Sequence, residues 1–116
     1  MWALTRQHTF YFYGQPADMR KGFDGLSHLV RQDMKANPLD GSVYIFVNRR
    51  RNRMKILVWE AGGFIMYYKR LEQGTFELPG WENTGPKIII GWETLMMIVS
   101  GLSLPEIKRR KRYKRA

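Results

Sequence analysis

The sequence predicts an α+β fold: a single domain with a small antiparallel sheet of about four to five strands, two helices, and a flexible basic C-terminal arm. Three observations carry that prediction. Short runs of β-branched and aromatic residues alternate with Gly, Pro and Asn turns, and connections that short join neighbouring antiparallel strands. Two other segments place their apolar residues at helical spacing. The basic residues concentrate in two places, one of them the very end of the chain. A length of 116 residues gives room for one core, which sets the expected boundaries at residues 1–104 for the domain and 105–116 for the tail.

Thr9-Phe10-Tyr11-Phe12-Tyr13 is rich in β-formers, and Gly14-Gln15-Pro16 punctuates it, so it reads as a first strand and a turn. Asp18 then stands where an N-cap belongs. From Met19 to about Lys35, the residues Phe23, Leu26, Leu29, Val30 and Met34 draw one apolar stripe along a helix. Gly22 and Gly25 each cost about 1 kcal/mol in a helix interior, which points to close backbone approach or a frayed first turn. Asn37-Pro38-Leu39-Asp40-Gly41 ends the helix with turn chemistry.

Ser42–Val47 and Met54–Trp59 have strand character and flank the polar connection Asn48–Arg53, a length that suits a β-hairpin. After the turn Glu60-Ala61-Gly62-Gly63, Phe64–Lys69 supplies another strand and Gly74–Leu78 a shorter one, giving a meander. These strands are apolar on both faces, so one face is expected to pack on the first helix and the other on something else. Lys87–Ile90 reads as an edge strand. Trp92–Ser100 reads as a second helix, with Trp92, Leu95, Met96 and Val99 on one side and Gly101 as its stop.

Twenty Lys and Arg against ten Asp and Glu give a formal charge of +10, which makes a polyanion the first partner to consider. A 44% hydrophobic content excludes a wholly disordered basic peptide. The chain has no cysteine, so disulfides and thiolate metal sites are excluded. No apolar run approaches the eighteen or so residues that would span a bilayer, so no membrane partner is expected and the cytoplasm is the default address. Arg49, Arg50, Arg51, Arg53 and Lys55 hold five charges in the hairpin, and Lys108, Arg109, Arg110, Lys111, Arg112, Lys114 and Arg115 hold seven in the tail. The other eight basic residues face ten acidic ones, so the remainder of the chain is slightly acidic.

Arginine forks match phosphate oxygens bidentately, and a two-stranded ribbon is narrow enough to enter a major groove, so the hairpin is the sharper candidate for DNA contact. Its bland alternative is a solvated loop that resists aggregation. The tail is a strong electrostatic signal without structural content: like charges repel and stay extended until a polyanion arrives. Seven phosphate contacts would give a salt slope of roughly −6 on duplex DNA. An RNA-binding arm, an anionic-membrane patch and a solubilising tail are its competing readings. Aromatics make up 14% of the chain; Phe10 to Tyr13, Tyr44, Phe46, Trp59, Tyr67, Tyr68, Trp81 and Trp92 are the candidates for stacking on bases, and most of them are expected in the core.

Catalytic signals are sparse. His8 and His28 have no partner at metal-ligand spacing, and no P-loop, hydrolase elbow or zinc-helix pattern occurs. Asp18, Asp24, Asp33 and Asp40 are close enough in sequence to be imagined as a metal-binding set, but a cap, two solvated helix residues and a turn residue account for them more simply. No catalytic residue, metal site or cofactor is expected.

Pro16–Leu26, Gly41 with Val43–Arg50, Lys55–Glu60 with Gly63-Phe64, and Tyr68–Glu72 with Gly74 and Phe76 form an ordered series of blocks. Together they resemble the TnpB, or Orf2-like, accessory proteins of the insertion sequence 66 family, over about residues 9–102. The resemblance implies a small bacterial protein encoded beside a DDE-type transposase and needed with it for efficient movement of the element. The family is not credited with a catalytic site, so none is carried over. What maps onto it is the block Asp18, Met19, Arg20, Lys21, Gly22, Phe23, Asp24 and Gly25, together with the hairpin Asn48–Arg53. The expected function is accordingly that of a non-catalytic accessory factor in transposition that binds DNA, either element ends or non-specific duplex, through the hairpin and tail. A protein adaptor for the element-encoded transposase is the second reading, and an enzyme using the aspartates a distant third. The sequence leaves the oligomeric state open.

Overall fold

The computed structural model describes residues 4–78 and 85–101. Within them five strands form one sheet: β1 (Phe10–Tyr13), β2 (Val43–Val47), β3 (Arg53–Glu60), β4 (Gly63–Arg70) and β5 (Lys87–Ile90), with helices α1 (Phe23–Gln32) and α2 (Trp92–Ser100). The strand order is β4-β3-β2-β1-β5. β2, β3 and β4 make the expected meander, and β5 pairs antiparallel with β1 at one edge. The β1–β2 pair is parallel, with Tyr11 opposite Tyr44. It has to be, because α1 lies between them in the chain and returns it to the starting end of the sheet before β2 begins.

β2 is buried along its whole length, as a central strand covered on both faces must be. Leu26 and Val30 of α1, with Met34 just beyond its end, pack with Tyr13, Tyr44, Phe46 and Leu57 on one face. Leu95 and Ile98 of α2 pack with Phe10, Phe12, Ile45, Ile56 and Val58 on the other. The two apolar faces seen in the sequence thus pack against the chain's own two helices, one on each side.

Two elements differ from the sequence expectation. Gly74–Leu78 is not a strand: Phe76 donates its N–H to the Arg51 carbonyl at 2.7 Å and is buried, with Leu78, in the core under α2. Its apolar residues anchor a connection that wraps the hairpin end, so they imitate a strand's pattern without a ladder. The first helix starts at Phe23, not at Met19, and ends at Gln32. Gly22 is its N-cap and makes no side-chain capping bond. Asp18 is occupied elsewhere, in a turn of its own.

The β3–β4 turn has Ala61 at φ 52° and Gly62 at φ 87°. Two central residues of positive φ make a type I′ turn, the form whose twist matches a right-twisted hairpin. It fixes the register, from Glu60 opposite Gly63 to Arg53 opposite Arg70.

Candidate nucleic-acid interface

The β2–β3 connection is a rigid platform. Asn48 Oδ1 accepts the backbone N–H groups of Asn52 at 3.0 Å and Arg53 at 2.9 Å, and its amide nitrogen donates to Asn52 Oδ1 at 2.8 Å. The backbone closes with Arg51 N–H on the Asn48 carbonyl. Leu71 and Phe76 then donate their N–H groups to the carbonyls of Asn52 and Arg51, bracing the loop from outside. Arg49 and Arg50 stand exposed at the tip, while Arg51, at φ 61°, and Arg53 are half-buried. Neither Arg49 nor Arg50 pairs with a carboxylate among the described residues, whereas Arg6, Arg20 and Arg70 each hold one.

Lys55 does not join the arginines. It is buried, and its ammonium donates to the backbone carbonyls of Met19 at 2.7 Å and Lys21 at 2.8 Å and lies 4.7 Å from the Tyr68 ring centre. The alternation of β3 turns it toward α1 with Leu57, so the expectation that it touches phosphate is corrected: its charge is spent inside the fold.

That same contact explains where the Asp18–Gly25 block sits. Ala17 donates its N–H to the Val47 carbonyl at 2.9 Å, tying the start of the block to the end of β2. Asp18 accepts the backbone N–H of Arg20 at 2.9 Å, and the Arg20 guanidinium reaches both of its oxygens, at 2.8 to 3.1 Å. The Arg20 hydrogen bonds hold the Asp18 carboxyl down at about 2. Met19 and Lys21 lie over Lys55, Gly22 caps α1, and Phe23 stacks on Phe64 at 6.4 Å with 15° between the rings. Asp24 is exposed in the first turn of α1, and Gly25 leaves room for the Lys21 side chain, which a Cβ would meet at 2.9 Å.

Block and hairpin therefore face each other. An open groove of about 390 Å³ runs between Asp18 and Met19 on one side and Asn48, Arg49, Arg50 and Arg53 on the other. With Asp18 neutralised by Arg20, the unbalanced charge in this groove is that of the hairpin arginines, and the arrangement can do what a cationic cleft does: hold phosphate oxygens.

The aspartates do not converge. Asp33 accepts the Tyr13 hydroxyl and Asp40 that of Tyr44, and burial, with these carboxylates adding to it, pushes both phenols up. No group of three His, Cys, Asp or Glu able to hold a metal ion occurs among the described residues. His8 Nδ1 accepts the Thr5 N–H, and His28 is exposed on α1. Trp81 and the tail residues Lys108 to Arg115 lie outside the described residues. No helix among the described residues is long and apolar enough to cross a membrane.

Comparison with known proteins bears on the same two blocks. The sequence pattern of the family described as IS66 Orf2 like protein matches residues 8–109, a span that holds the groove and both sets of residues lining it. The chain belongs to the IS66 Orf2-like family. Two relatives in Sinorhizobium fredii, strain NBRC 101917 / NGR234, are the "uncharacterized protein y4jC", 31% identical over 83% of this chain and 80% of its own length, and the "uncharacterized protein y4hO", 35% identical over 73% and 72%. No solved structure matches. As an IS66 Orf2-like protein the chain is a transposition-associated accessory protein, and the family is not a known catalytic one.

Sequence reasoning held Tyr68 only as one of several candidates for base stacking and gave Arg70 no place in this IS66 Orf2-like surface. Arg70 lies directly opposite Arg53, and Tyr68 receives the Arg53 guanidinium on its hydroxyl at 3.1 Å. The signal was available: counting outward from a two-residue turn at Ala61-Gly62 places Arg70 against Arg53 and Tyr68 against Lys55.

Proposed function

We propose that this IS66 Orf2-like protein assists transposition without chemistry of its own, by binding DNA. Arg49, Arg50 and Arg53 contact phosphates from the rigid hairpin, and Lys108 to Arg115 add affinity that is indifferent to sequence. The observation that carries this reading is the exposure of Arg49 and Arg50 on a braced loop, without a carboxylate partner among the described residues. A solubilising loop has no need of six bracing hydrogen bonds. A pre-ordered loop holds its charges where a fixed spacing of phosphates can meet them, and loses little entropy on binding.

Fluorescence anisotropy of the full chain on element-end duplex and on a scrambled duplex, over a salt series, tests it. Binding that weakens steeply with salt, with a slope magnitude of roughly 9 if three hairpin and seven tail charges all engage, supports the proposal. Absence of binding at low salt contradicts it and leaves recruitment of the transposase as the accessory role.

A further inference from the structure

We infer that the α1 side of β3 and β4 is a stacking surface for unpaired bases, so that the DNA this protein holds includes a single-stranded segment. The inference rests on the DNA-binding reading above and sharpens its ligand class. Along β4 the residues Phe64, Met66, Tyr68 and Arg70 alternate onto the α1 side, facing Trp59, Leu57, Lys55 and Arg53 of β3. α1 covers only part of this row. Among the described residues the two exposed Phe, Tyr or Trp side chains are Phe23 and Tyr68, at 47% and 50% exposure, and both lie here.

Each ring is backed, and each is held in place from behind. Phe23 rests nearly parallel on Phe64, which in turn meets the edge of Trp59 at 5.0 Å. Tyr68 rests against the buried Lys55 ammonium, and its hydroxyl takes a hydrogen bond from Arg53. A ring with one side fixed and half its surface open is a preformed platform for a base, and every base has a face to offer it. Tyr68 lies four positions along the strand from Phe64, the ring that backs Phe23, a step of roughly 13 Å.

The charge pattern runs along the same line. Beyond Tyr68 come Arg53 and Arg70, directly opposed across the ladder. Like charges so placed repel each other and favour an anion nearby; of the two, only Arg70 has an acidic partner among the described residues, Glu72 at 3.0 Å. Arg49 and Arg50 continue the basic path around the hairpin tip. Exposed aromatics leading into arginines suit a strand whose bases are splayed out and whose backbone tracks the cations. A closed duplex has no free base faces to give Phe23 and Tyr68.

The test uses the full chain with one mixed-sequence DNA oligonucleotide, as a single strand carrying a 2-aminopurine and as its duplex. Phe23→Leu and Tyr68→Leu keep apolar bulk and remove the rings; Phe23→Tyr and Tyr68→Phe keep them. Expected for the leucine variants is single-strand binding weakened by roughly 5- to 100-fold each, with less 2-aminopurine quenching and duplex binding within about twofold of the parent. The ring-keeping variants should match the parent on both DNAs. Leucine variants that bind the single strand like the parent, or that lose both DNAs equally, overturn the stacking surface while leaving DNA binding intact. Failure of the parent protein to bind either DNA overturns both proposals at once.

Discussion

The ammonium of Lys55 donates a 2.7 Å hydrogen bond to the backbone carbonyl of Met19, joining the middle of the hairpin strand to a loop 36 residues earlier in the chain. A second bond, to the Lys21 carbonyl, makes the attachment two-pronged. Through it, the Asp18–Gly25 block and the basic hairpin, distant in sequence, become two walls of one groove.

Replacing Lys55 by Met keeps the buried stem and removes the charge, leaving two carbonyls without their donor. The expected loss of stability is about 2–3 kcal/mol, read from urea unfolding. A loss under about 0.5 kcal/mol would show that the block is held by other means.

Arg49→Ala with Arg50→Ala should behave in the opposite way. Both side chains are exposed and unpaired with acid among the described residues, so stability should stay within about 0.5 kcal/mol of the parent. DNA affinity should fall, and the magnitude of the salt slope should drop by about 2, close to one per arginine. An unchanged slope would assign the phosphate contacts elsewhere.

The Asp18 carboxyl, at about 2 instead of its ordinary 3.8, makes a pH prediction. Its folded value is depressed, so the Asp18–Arg20 pair contributes stability above the unfolded value, and that contribution fades as pH falls from about 4 through 2. Arg20→Ala should move the carboxyl midpoint, followed by NMR, up toward the ordinary range. A midpoint that does not move would dissociate Arg20 from the turn.

Ala61 occupies a left-handed position that favours Asn or Gly. Ala61→Asn should therefore raise stability by about 1 kcal/mol, measured by thermal or urea unfolding, with the β3–β4 register unchanged. A neutral or destabilising result would mean that the turn is not the type I′ form the backbone angles describe.

Much of this architecture was legible because local chemistry and tertiary structure agree. Val43–Val47, the Asn48 loop, Glu60–Gly63 and Gly101 carry turn and strand signals that nothing in the packing overrides. Where reading failed, a distant partner decided. Asp18 has the composition of a helix cap, but Arg20 claims its carboxylate and the helix waits for Gly22. Phe76 and Leu78 look like strand residues because burial under α2 asks for the same side chains as a ladder. Lys55 looks like one more charge in a basic run; only the β3 alternation, and the carbonyls that happen to lie above it, separate it from Arg53. The parallel β1–β2 pairing follows from a helix that was foreseen, but the choice of neighbour belongs to the whole sheet.

The measurement that tests the central claim most directly is a two-dimensional ¹⁵N–¹H NMR titration of the full chain with DNA. If the block and hairpin act as one DNA-contacting surface, the amides of Asp18–Phe23 and Asn48–Arg53 shift together, in proportion, as DNA is added. Shifts confined to Lys108–Arg115, with both walls of the groove silent, would contradict it.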